Sequence, residues 1–244
     1  MSVAVVTGAS SGIGAAIAIA FAEAGWDVMA AGRDEGRLEE VADVSDNIAI
    51  WSGELSESEE CRELIADAVD EFGSIDCLVN CAGIFVRTDT ATTTDEEWRD
   101  TLTINLDVPF YLSRAALPHL QQTQGSIVNI ASNWGLKASD QAAAYCASKG
   151  GLVMLSKAMA LDTAADGVRV NAICPGSVDT PMLAAGAELA DQEVDEYLAE
   201  QAASSPNGRI STPEEVAGLV LFLASEAATQ INGVAIAIDG GESA

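Results

Sequence analysis

A tyrosine and a lysine that could act together on a proton stand four residues apart, at Tyr145 and Lys149. On a helix this spacing places both side chains on one face, with Cβ atoms about 5–6 Å apart. A phenol titrates near ~10, and a nearby cation that stabilises the phenolate lowers that value. The surrounding residues are small and give the two side chains little to pack against. The pair is a candidate for acid–base chemistry; the alternative is an amphipathic pair at a subunit interface.

Short apolar runs alternate with helical stretches and supply a frame for this pair. Strands are predicted over 3–6, 26–31, 47–51, 76–79, 126–131, 168–173 and 234–238. Capping patterns predict helix starts at Ser56–Glu59, Thr94–Glu97 and Thr212–Glu215. This alternation predicts a parallel sheet covered by helices on both faces, with ligands bound beyond the carboxyl ends of its strands. No linker-like stretch interrupts it, so we predict a single domain over residues 1–244.

A glycine-rich segment, TGASSGIG from Thr7 to Gly14, directly follows the first predicted strand and opens a helix. Gly8, Gly12 and Gly14 let the backbone turn tightly and approach a ligand closely. The new helix offers free N–H groups and the positive end of its dipole to a diphosphate. The segment is not a P-loop, because no lysine follows its last glycine. A turn that only packs the helix against the strand is the alternative.

The spacing of this loop and several later motifs resembles the short-chain dehydrogenase/reductase family. The matching motifs are NCAG from Asn80 to Gly83, Asn105, Ser132, Tyr145 with Lys149, PGSVDT from Pro175 to Thr180, and DGG from Asp239 to Gly241. One departure is Cys81, where the family has a second asparagine. The resemblance covers the whole chain in order. It implies an α/β fold: a three-layer, doubly wound Rossmann fold with a seven-stranded parallel sheet in the order 3-2-1-4-5-6-7.

The resemblance also implies a lid and an assembly. A helical lid is expected at about 182–209, and its apolar stretch 182–189 would contact a modest substrate. Family members commonly form tetramers through the helices after Asn105 and around Tyr145 and through the last strand, so we expect a homotetramer.

By the same resemblance, four residues are catalytic: Asn105, Ser132, Tyr145 and Lys149. Tyr145 would act as the acid and base, and Ser132 would hydrogen-bond the substrate oxygen. Bringing the phenol near neutrality needs a shift of roughly 3 units, to which Lys149 and a positively charged nicotinamide would contribute. Asn105 would hold a water that links Lys149 to solvent.

The resemblance implies cofactor-binding residues along the whole cleft. They are Gly8, Ser10, Ser11, Gly12, Ile13, Gly14, Arg33, Leu55, Asn80, Ala82, Gly83, Tyr145, Lys149, Pro175, Gly176, Val178 and Thr180. Glu54 and Leu55 stand where the family usually has Asp-Val beside the adenine.

The segment after the second strand favours NADP over NAD. Gly32 leaves no carboxylate to repel a 2′-phosphate, and Arg33 can pair with one. Arg37 lies nearby. Ser11, where many NADP enzymes of the family carry a basic residue, and the adjacent Asp34 favour NAD instead.

Charge excludes two classes of partner. The chain has 38 acidic and 11 basic residues, for a formal net charge of −27, which would repel nucleic acid and anionic membranes. Only three of the basic residues are lysines. Acid-rich, lysine-poor surfaces are typical of proteins from halophilic organisms.

Metal and targeting signals are lacking in the sequence. Five cysteines without a C-x-x-C pair and a single histidine, His119, argue for reduced thiols in a cytoplasmic protein and against a zinc site. His119 falls in a predicted helix, away from the strand ends. The apolar start of the chain lacks a positive n-region and is broken by the glycine loop, so we expect neither a signal peptide nor a membrane span.

The function expected from these features is NAD(P)-dependent interconversion of a secondary alcohol and a ketone. Within it, a 3-oxoacyl thioester reductase competes with a sugar or polyol dehydrogenase. A non-catalytic, cofactor-sensing regulatory protein of the same fold is the alternative from another class, but such proteins usually lose the Tyr–Lys pair.

The charge generates a stability prediction. The melting temperature should rise from dilute buffer to molar KCl, because counterions screen the self-repulsion of the acidic surface. Thermal unfolding in the two buffers measures it, and equal melting temperatures would contradict the prediction.

Overall fold

The apolar runs form the strands of one sheet. The computed structural model describes residues 1–190 and 192–244; Asp191, within the predicted lid, lies outside the described residues. The strands are β1 (Val3–Thr7), β2 (Asp27–Gly32), β3 (Ile48–Ser52), β4 (Cys77–Asn80), β5 (Ser126–Ile130), β6 (Arg169–Pro175) and β7 (Ala235–Ile238). β1, β4 and β5 are buried along their whole length, as expected for strands covered on both faces. Every predicted strand is confirmed, with ends displaced by no more than two residues.

The strand order is β3-β2-β1-β4-β5-β6-β7, and neighbouring strands are parallel. In the centre, Val5 of β1 lies opposite Met29 of β2 on one side and Leu78 of β4 on the other. The predicted fold class and strand order are confirmed. The order reverses beside β1, and in such sheets the ligand crevice lies at this reversal, outside the carboxyl ends of the strands.

Helices connect the strands and cover the sheet. They are α1 (Gly12–Glu23), α2 (Glu35–Ala42), α3 (Ser58–Phe72), α4 (Asp95–Leu102), α5 (Val108–Thr123), α6 (Ala143–Thr163), α7 (Pro181–Leu189), α8 (Val194–Ser204) and α9 (Pro213–Ala224). The predicted lid segment contains α7 and α8, which pack against each other.

Apolar cores lie on both faces of the sheet because strand side chains alternate in direction. Val6 of β1 packs in the first core with Phe21 of α1 and Val220 of α9. Val5, its neighbour in the chain, packs in the second core with Leu112 of α5. The three layers fix the strand ends in place and thereby position the loops that follow them.

Capping confirms two predicted helix starts and corrects the third. The side chains of Thr94 and Thr212 each accept a hydrogen bond from the backbone N–H three residues on. The glutamate at that position accepts one from the backbone N–H of the threonine. The predicted pair Ser56–Glu59 is wrong. The carboxylate of Glu60 accepts from the backbone N–H groups of Ser56 (2.9 Å) and Glu57 (2.7 Å), so α3 begins at Ser58.

A π-helical turn, Thr103–Asp107, lies between α4 and α5. Such turns add one residue to a helix and occur often at functional sites. Here the turn contains Asn105, which is fully buried. The irregularity therefore brings a polar side chain into the interior.

In the described ranges, no helix combines the length and the apolar character needed to cross a membrane. The same ranges contain no group of three or more His, Cys, Asp or Glu side chains able to hold a metal ion. The five cysteines are free thiols.

Candidate active site

A cleft of about 960 Å³ opens where the first six strands end, a size in the range of ligand pockets. Segments that follow β1 through β6 line it, together with residues of α6, α7 and α8. The sheet thus brings together side chains that are far apart in the chain.

The glycine loop after β1 fits closely against the loop after β4. Gly8 has φ +67°, and a Cβ there would lie 2.9 Å from the backbone of Ala82. A Cβ at Gly14 would collide with the carbonyl oxygen of Gly8. Thr7 Oγ1 accepts hydrogen bonds from the N–H groups of Cys81 and Ala82, each at 3.1 Å, and this joins the two loops. Two glycines are therefore required by contacts within the protein itself.

The end of α1 suits a diphosphate. The helix starts at Gly12 and has no acidic side chain in its first turn, so its N–H groups and positive dipole end are unopposed there. Gly8, Gly12 and Gly14 line the cleft beside this helix end. The loop can therefore hold the diphosphate of a dinucleotide, as the sequence predicts.

Tyr145, Ser132 and Lys149 meet in the middle of the cleft. The Lys149 ammonium donates a hydrogen bond to the carbonyl oxygen of Ile130 (2.9 Å) and lies 5.8 Å from the centroid of the Tyr145 ring. Ser132 Oγ accepts a bond from the N–H of Trp134 (3.1 Å), which fixes the oxygen, and its hydroxyl donates a long bond to Asn133 Oδ1 (3.5 Å). A phenol, a hydroxyl and an ammonium thus share one point of the cleft.

The protein alone does not make the phenol acidic. Withdrawal from water raises the pKa of Tyr145 to about 12, and the hydrogen bond with Ser132 acts against this rise. Burial lowers the pKa of Lys149 to about 8, against the influence of the Cys81 and Cys174 thiols. Burial therefore dominates the pKa of the phenol in the protein without cofactor, and the lowering of that pKa by Lys149 together with a positively charged nicotinamide stays a prediction.

Asn105 connects this centre to the loop after β4. Its side-chain oxygen accepts from the N–H of Ile84 (2.9 Å), and its amide group donates to the Ile84 carbonyl (2.9 Å) and to Ser148 Oγ (3.1 Å). Ser148 in turn donates to the carbonyl oxygen of Tyr145 (2.8 Å). The Asn105 side chain lies behind the cleft wall and holds the loop and α6 together.

Asn80 also lies behind the wall. Its amide nitrogen donates to Asn129 Oδ1 (2.7 Å) and to Ser113 Oγ (3.2 Å), within a buried polar network between the sheet and α5. Asn80 and Asn105 are the predicted site residues that do not line the cleft. The others line it: Gly8, Ser10, Ser11, Gly12, Ile13, Gly14, Arg33, Leu55, Ala82, Gly83, Ser132, Tyr145, Lys149, Pro175, Gly176, Val178 and Thr180.

Arg33 lines the cleft at the end of β2 and is exposed. The carboxylate of Asp34, whose charge favoured NAD, already has partners. It caps α2 by accepting from the Arg37 N–H (3.1 Å) and forms an ion pair with the Arg37 guanidinium (3.2 Å). The described residues place no carboxylate within 4 Å of the Arg33 guanidinium.

Sequence reasoning missed an aromatic part of the wall. Phe85, Trp134 and Tyr197 line the cleft, and Glu242 reaches it from the chain end. Phe85 and Trp134 each stand two residues after a predicted site residue, Gly83 and Ser132. That spacing could have identified them. Tyr197 falls within the predicted lid but was not singled out, and nothing local marks Glu242.

Known proteins match this chain over its length. A family model described as "Enoyl-(Acyl carrier protein) reductase" matches residues 8–243. The chain belongs to the short-chain dehydrogenase/reductase family. It is 38% identical over 255 residues to meso-2,3-butanediol dehydrogenase of Serratia marcescens, covering 99% of this chain and 94% of that protein.

Solved structures of this family superpose closely on the chain. A single-substitution variant of actinorhodin polyketide ketoreductase with NADPH has a TM-score of 0.94 at 34% identity, covering 99% of this chain and 97% of that one. A 3-ketoacyl-(acyl-carrier-protein) reductase from Brucella melitensis complexed with NADH has a TM-score of 0.92 at 30% identity, covering 100% and 98%. As a short-chain dehydrogenase/reductase, the protein is an NAD(P)-dependent oxidoreductase.

The close fit of the glycine loop generates a prediction with a matched control. Gly8→Ala and Gly25→Ala both place a side chain at positive φ, which costs about 1–2 kcal/mol. A Cβ at Gly25 meets nothing within 4 Å, whereas one at Gly8 meets Ala82. Gly8→Ala should therefore lose more unfolding free energy and should weaken NADPH binding about tenfold or more, while Gly25→Ala leaves binding intact. Urea unfolding and NADPH fluorescence titration measure both. Equal effects of the two substitutions would contradict the close approach.

Proposed function

We propose that the protein interconverts a secondary alcohol and a ketone, with Tyr145 as the acid and base. The observation that carries this proposal is the meeting of a phenol, a fixed serine hydroxyl and a buried ammonium in a cleft that also contains a dinucleotide-type glycine loop. Bound nicotinamide supplies or accepts the hydride. The protein's task is to orient the reacting groups and to move one proton.

In the reductive direction Tyr145 donates the proton to the carbonyl oxygen. Its raised pKa keeps the phenol protonated throughout the neutral range, which suits a proton donor. Ser132 would stabilise the same oxygen by turning its hydroxyl proton from the long bond to Asn133 Oδ1 (3.5 Å) toward the substrate, while the Trp134 N–H holds the Ser132 oxygen atom. In the oxidative direction the phenol must first lose its proton, so alkaline conditions favour that reaction.

Lys149 and Asn105 support the phenol. The Lys149 ammonium would stabilise negative charge on Tyr145 and hold ribose hydroxyls. Asn105 keeps the loop and α6 in register through Ile84 and Ser148, and it would hold the water of a proton relay. We assign Asn105 a positioning role.

The remaining predicted residues divide among parts of the cofactor. Gly8, Ser10, Ser11, Gly12, Ile13 and Gly14 would bind the diphosphate, Leu55 the adenine, Ala82 and Gly83 the riboses, and Pro175, Gly176, Val178 and Thr180 the nicotinamide. Asn80 would act indirectly, through its bonds to Ser113 and Asn129.

We propose NADP as the preferred cofactor. Support comes from Arg33, which lines the cleft while the neighbouring Asp34 is engaged with Arg37. A guanidinium without a carboxylate partner is available to a 2′-phosphate.

We further propose a cytoplasmic homotetramer adapted to high salt, with α7 and α8 as the lid of a single domain. The assembly is supported by exposed apolar side chains on the outer helices, namely Phe110, Met154 and Leu161, which is 81% exposed. The salt adaptation is supported by the net charge of −27.

Tyr145→Phe tests the mechanism. Removal of the hydroxyl should lower kcat/KM for ketone reduction by roughly 10²–10⁴-fold, since the proton donor is lost. Tyr111→Phe, outside the cleft, is the control and should keep wild-type activity. Turnover by Tyr145→Phe equal to that of the wild type would overturn the mechanism.

Arg33→Ala tests the cofactor preference. The KM for NADPH should rise about tenfold or more, because a charge-assisted hydrogen bond is lost, and the KM for NADH should change little. Arg37→Ala should have a smaller effect, because its guanidinium is held by Asp34. Comparable catalytic efficiency of the wild type with both cofactors would contradict the proposal.

A further inference from the structure

Two aromatic side chains stand edge-on to the proposed acid and base. The Tyr145 ring lies 5.1 Å from the Phe85 ring at 77° and 6.0 Å from the Trp134 ring at 87°, measured between centroids. Phe85 and Trp134 also contact each other, at 5.7 Å and 66°. All three line the cleft. A substrate whose oxygen reaches Tyr145 must therefore lie beside an aromatic surface, here called the aromatic wall and formed by Phe85 and Trp134.

The aromatic wall is held rigidly from behind. The Trp134 N–H is bound to Ser132 Oγ, and the next residue, Gly135, approaches α6 so closely that a Cβ there would lie 2.7 Å from the Lys149 carbonyl oxygen. Phe85 follows Ile84, whose N–H and carbonyl both bind the Asn105 side chain. A surface fixed in this way is preorganised to bind, and little ordering is required when a ligand arrives.

The lid helices extend the apolar surface over the same part of the cleft. Met182 and Leu183 of α7 line it, and so does Tyr197 of α8, whose hydroxyl packs against Gly186. Tyr197 is buried between the two helices. The wall and this roof together give the substrate end a continuous apolar surface.

Among the described residues, the substrate end of the cleft has no cationic side chain free to bind a charged substrate. The described part of the cleft lining contains three cations, of which Arg33 and Arg37 follow β2 at the far end and Lys149 is assigned to Tyr145. Glu242 adds a carboxylate to the lining, and it is paired with Lys137 at 2.9 Å. An ionised group on the substrate would gain no partner there and would lose its hydration.

We propose that the substrate is an uncharged ketone or secondary alcohol with a ring or branched apolar substituent, and that Phe85 and Trp134 determine this specificity. The inference rests on the proposed role of Tyr145. An acyl thioester on an acidic carrier protein fits poorly, because the described lining offers no free cation at the substrate end of the cleft and the chain is strongly negative.

A matched pair of ketones tests the charge requirement. Acetophenone and 4-acetylbenzoate differ by one carboxylate, and kcat/KM for acetophenone should be higher by at least about tenfold, measured in molar KCl to screen long-range repulsion. Higher efficiency with 4-acetylbenzoate would overturn the proposal. Loss of such a preference in Arg87→Ala would then assign the carboxylate to the neighbouring polar cavity that Arg87 lines.

Substitutions test the aromatic wall. Trp134→Ala and Phe85→Ala should each lower kcat/KM for acetophenone by roughly 10–100-fold and should affect butanone much less, since butanone has no ring to pack. Trp134→Phe and Phe85→Leu are milder substitutions, included in case the alanine variants misfold. Both should retain part of the preference for acetophenone over butanone. Trp98→Ala, exposed and outside the cleft, is the control. Equal losses for both ketones would overturn the specificity role.

A binding readout separates this inference from the proposed mechanism. Of the chain's four tryptophans, Trp134 is the one in the described cleft lining. Titration with 1-phenylethanol should therefore change the tryptophan emission of the wild type and of Tyr145→Phe, but not that of Trp134→Phe. The same change in Trp134→Phe would overturn the inference. If only the proposed mechanism is wrong, Tyr145→Phe should turn over at the wild-type rate and should still show this emission change.

Discussion

The site depends on one buried contact, the hydrogen bond from the Lys149 ammonium to the carbonyl oxygen of Ile130. Lys149 is 5% exposed, so its charge has been removed from water and needs this partner. The bond ties α6 to the end of β5. Because Ser132 follows β5 and Tyr145 lies one turn before Lys149, the same contact sets the positions of the hydroxyl and the phenol.

Small residues make this arrangement possible. Gly135 lets the turn after β5 touch the backbone of α6 at Lys149. Gly151, two residues further along α6, faces Leu106 of the π-helical turn. Larger side chains would separate α6 from the loops that carry Ser132 and Asn105. The small residues around Tyr145 and Lys149, which looked featureless in the sequence, allow close packing, and the polar pair is supported by what surrounds it.

Local patterns predicted most of the fold. Buried parallel strands appear in a sequence as apolar runs, and the glycine loop has chemical requirements that few other sequences meet. Both could therefore be predicted from the sequence. Features that depend on residues far apart in the chain were harder to predict. Glu60 rather than Glu59 caps the start of α3. Asn80 hydrogen-bonds to Asn129 on the neighbouring strand, and Trp134 contacts Phe85 only in the folded chain. The effect of burial on the pKa of Tyr145 was not predicted either, since burial is a tertiary property.

The central claim, that a protonated Tyr145 and a charged Lys149 act together, is tested most directly by the pH dependence of kcat/KM for ketone reduction. The pKa values of about 12 for Tyr145 and about 8 for Lys149 keep both groups protonated at pH 7, and only Lys149 loses its proton between pH 7 and 10. At saturating NADPH, kcat/KM for the ketone reports the groups of the enzyme form that binds the ketone, so it should be constant below about pH 8 and decline above it. A constant value up to pH 10 would contradict the claim.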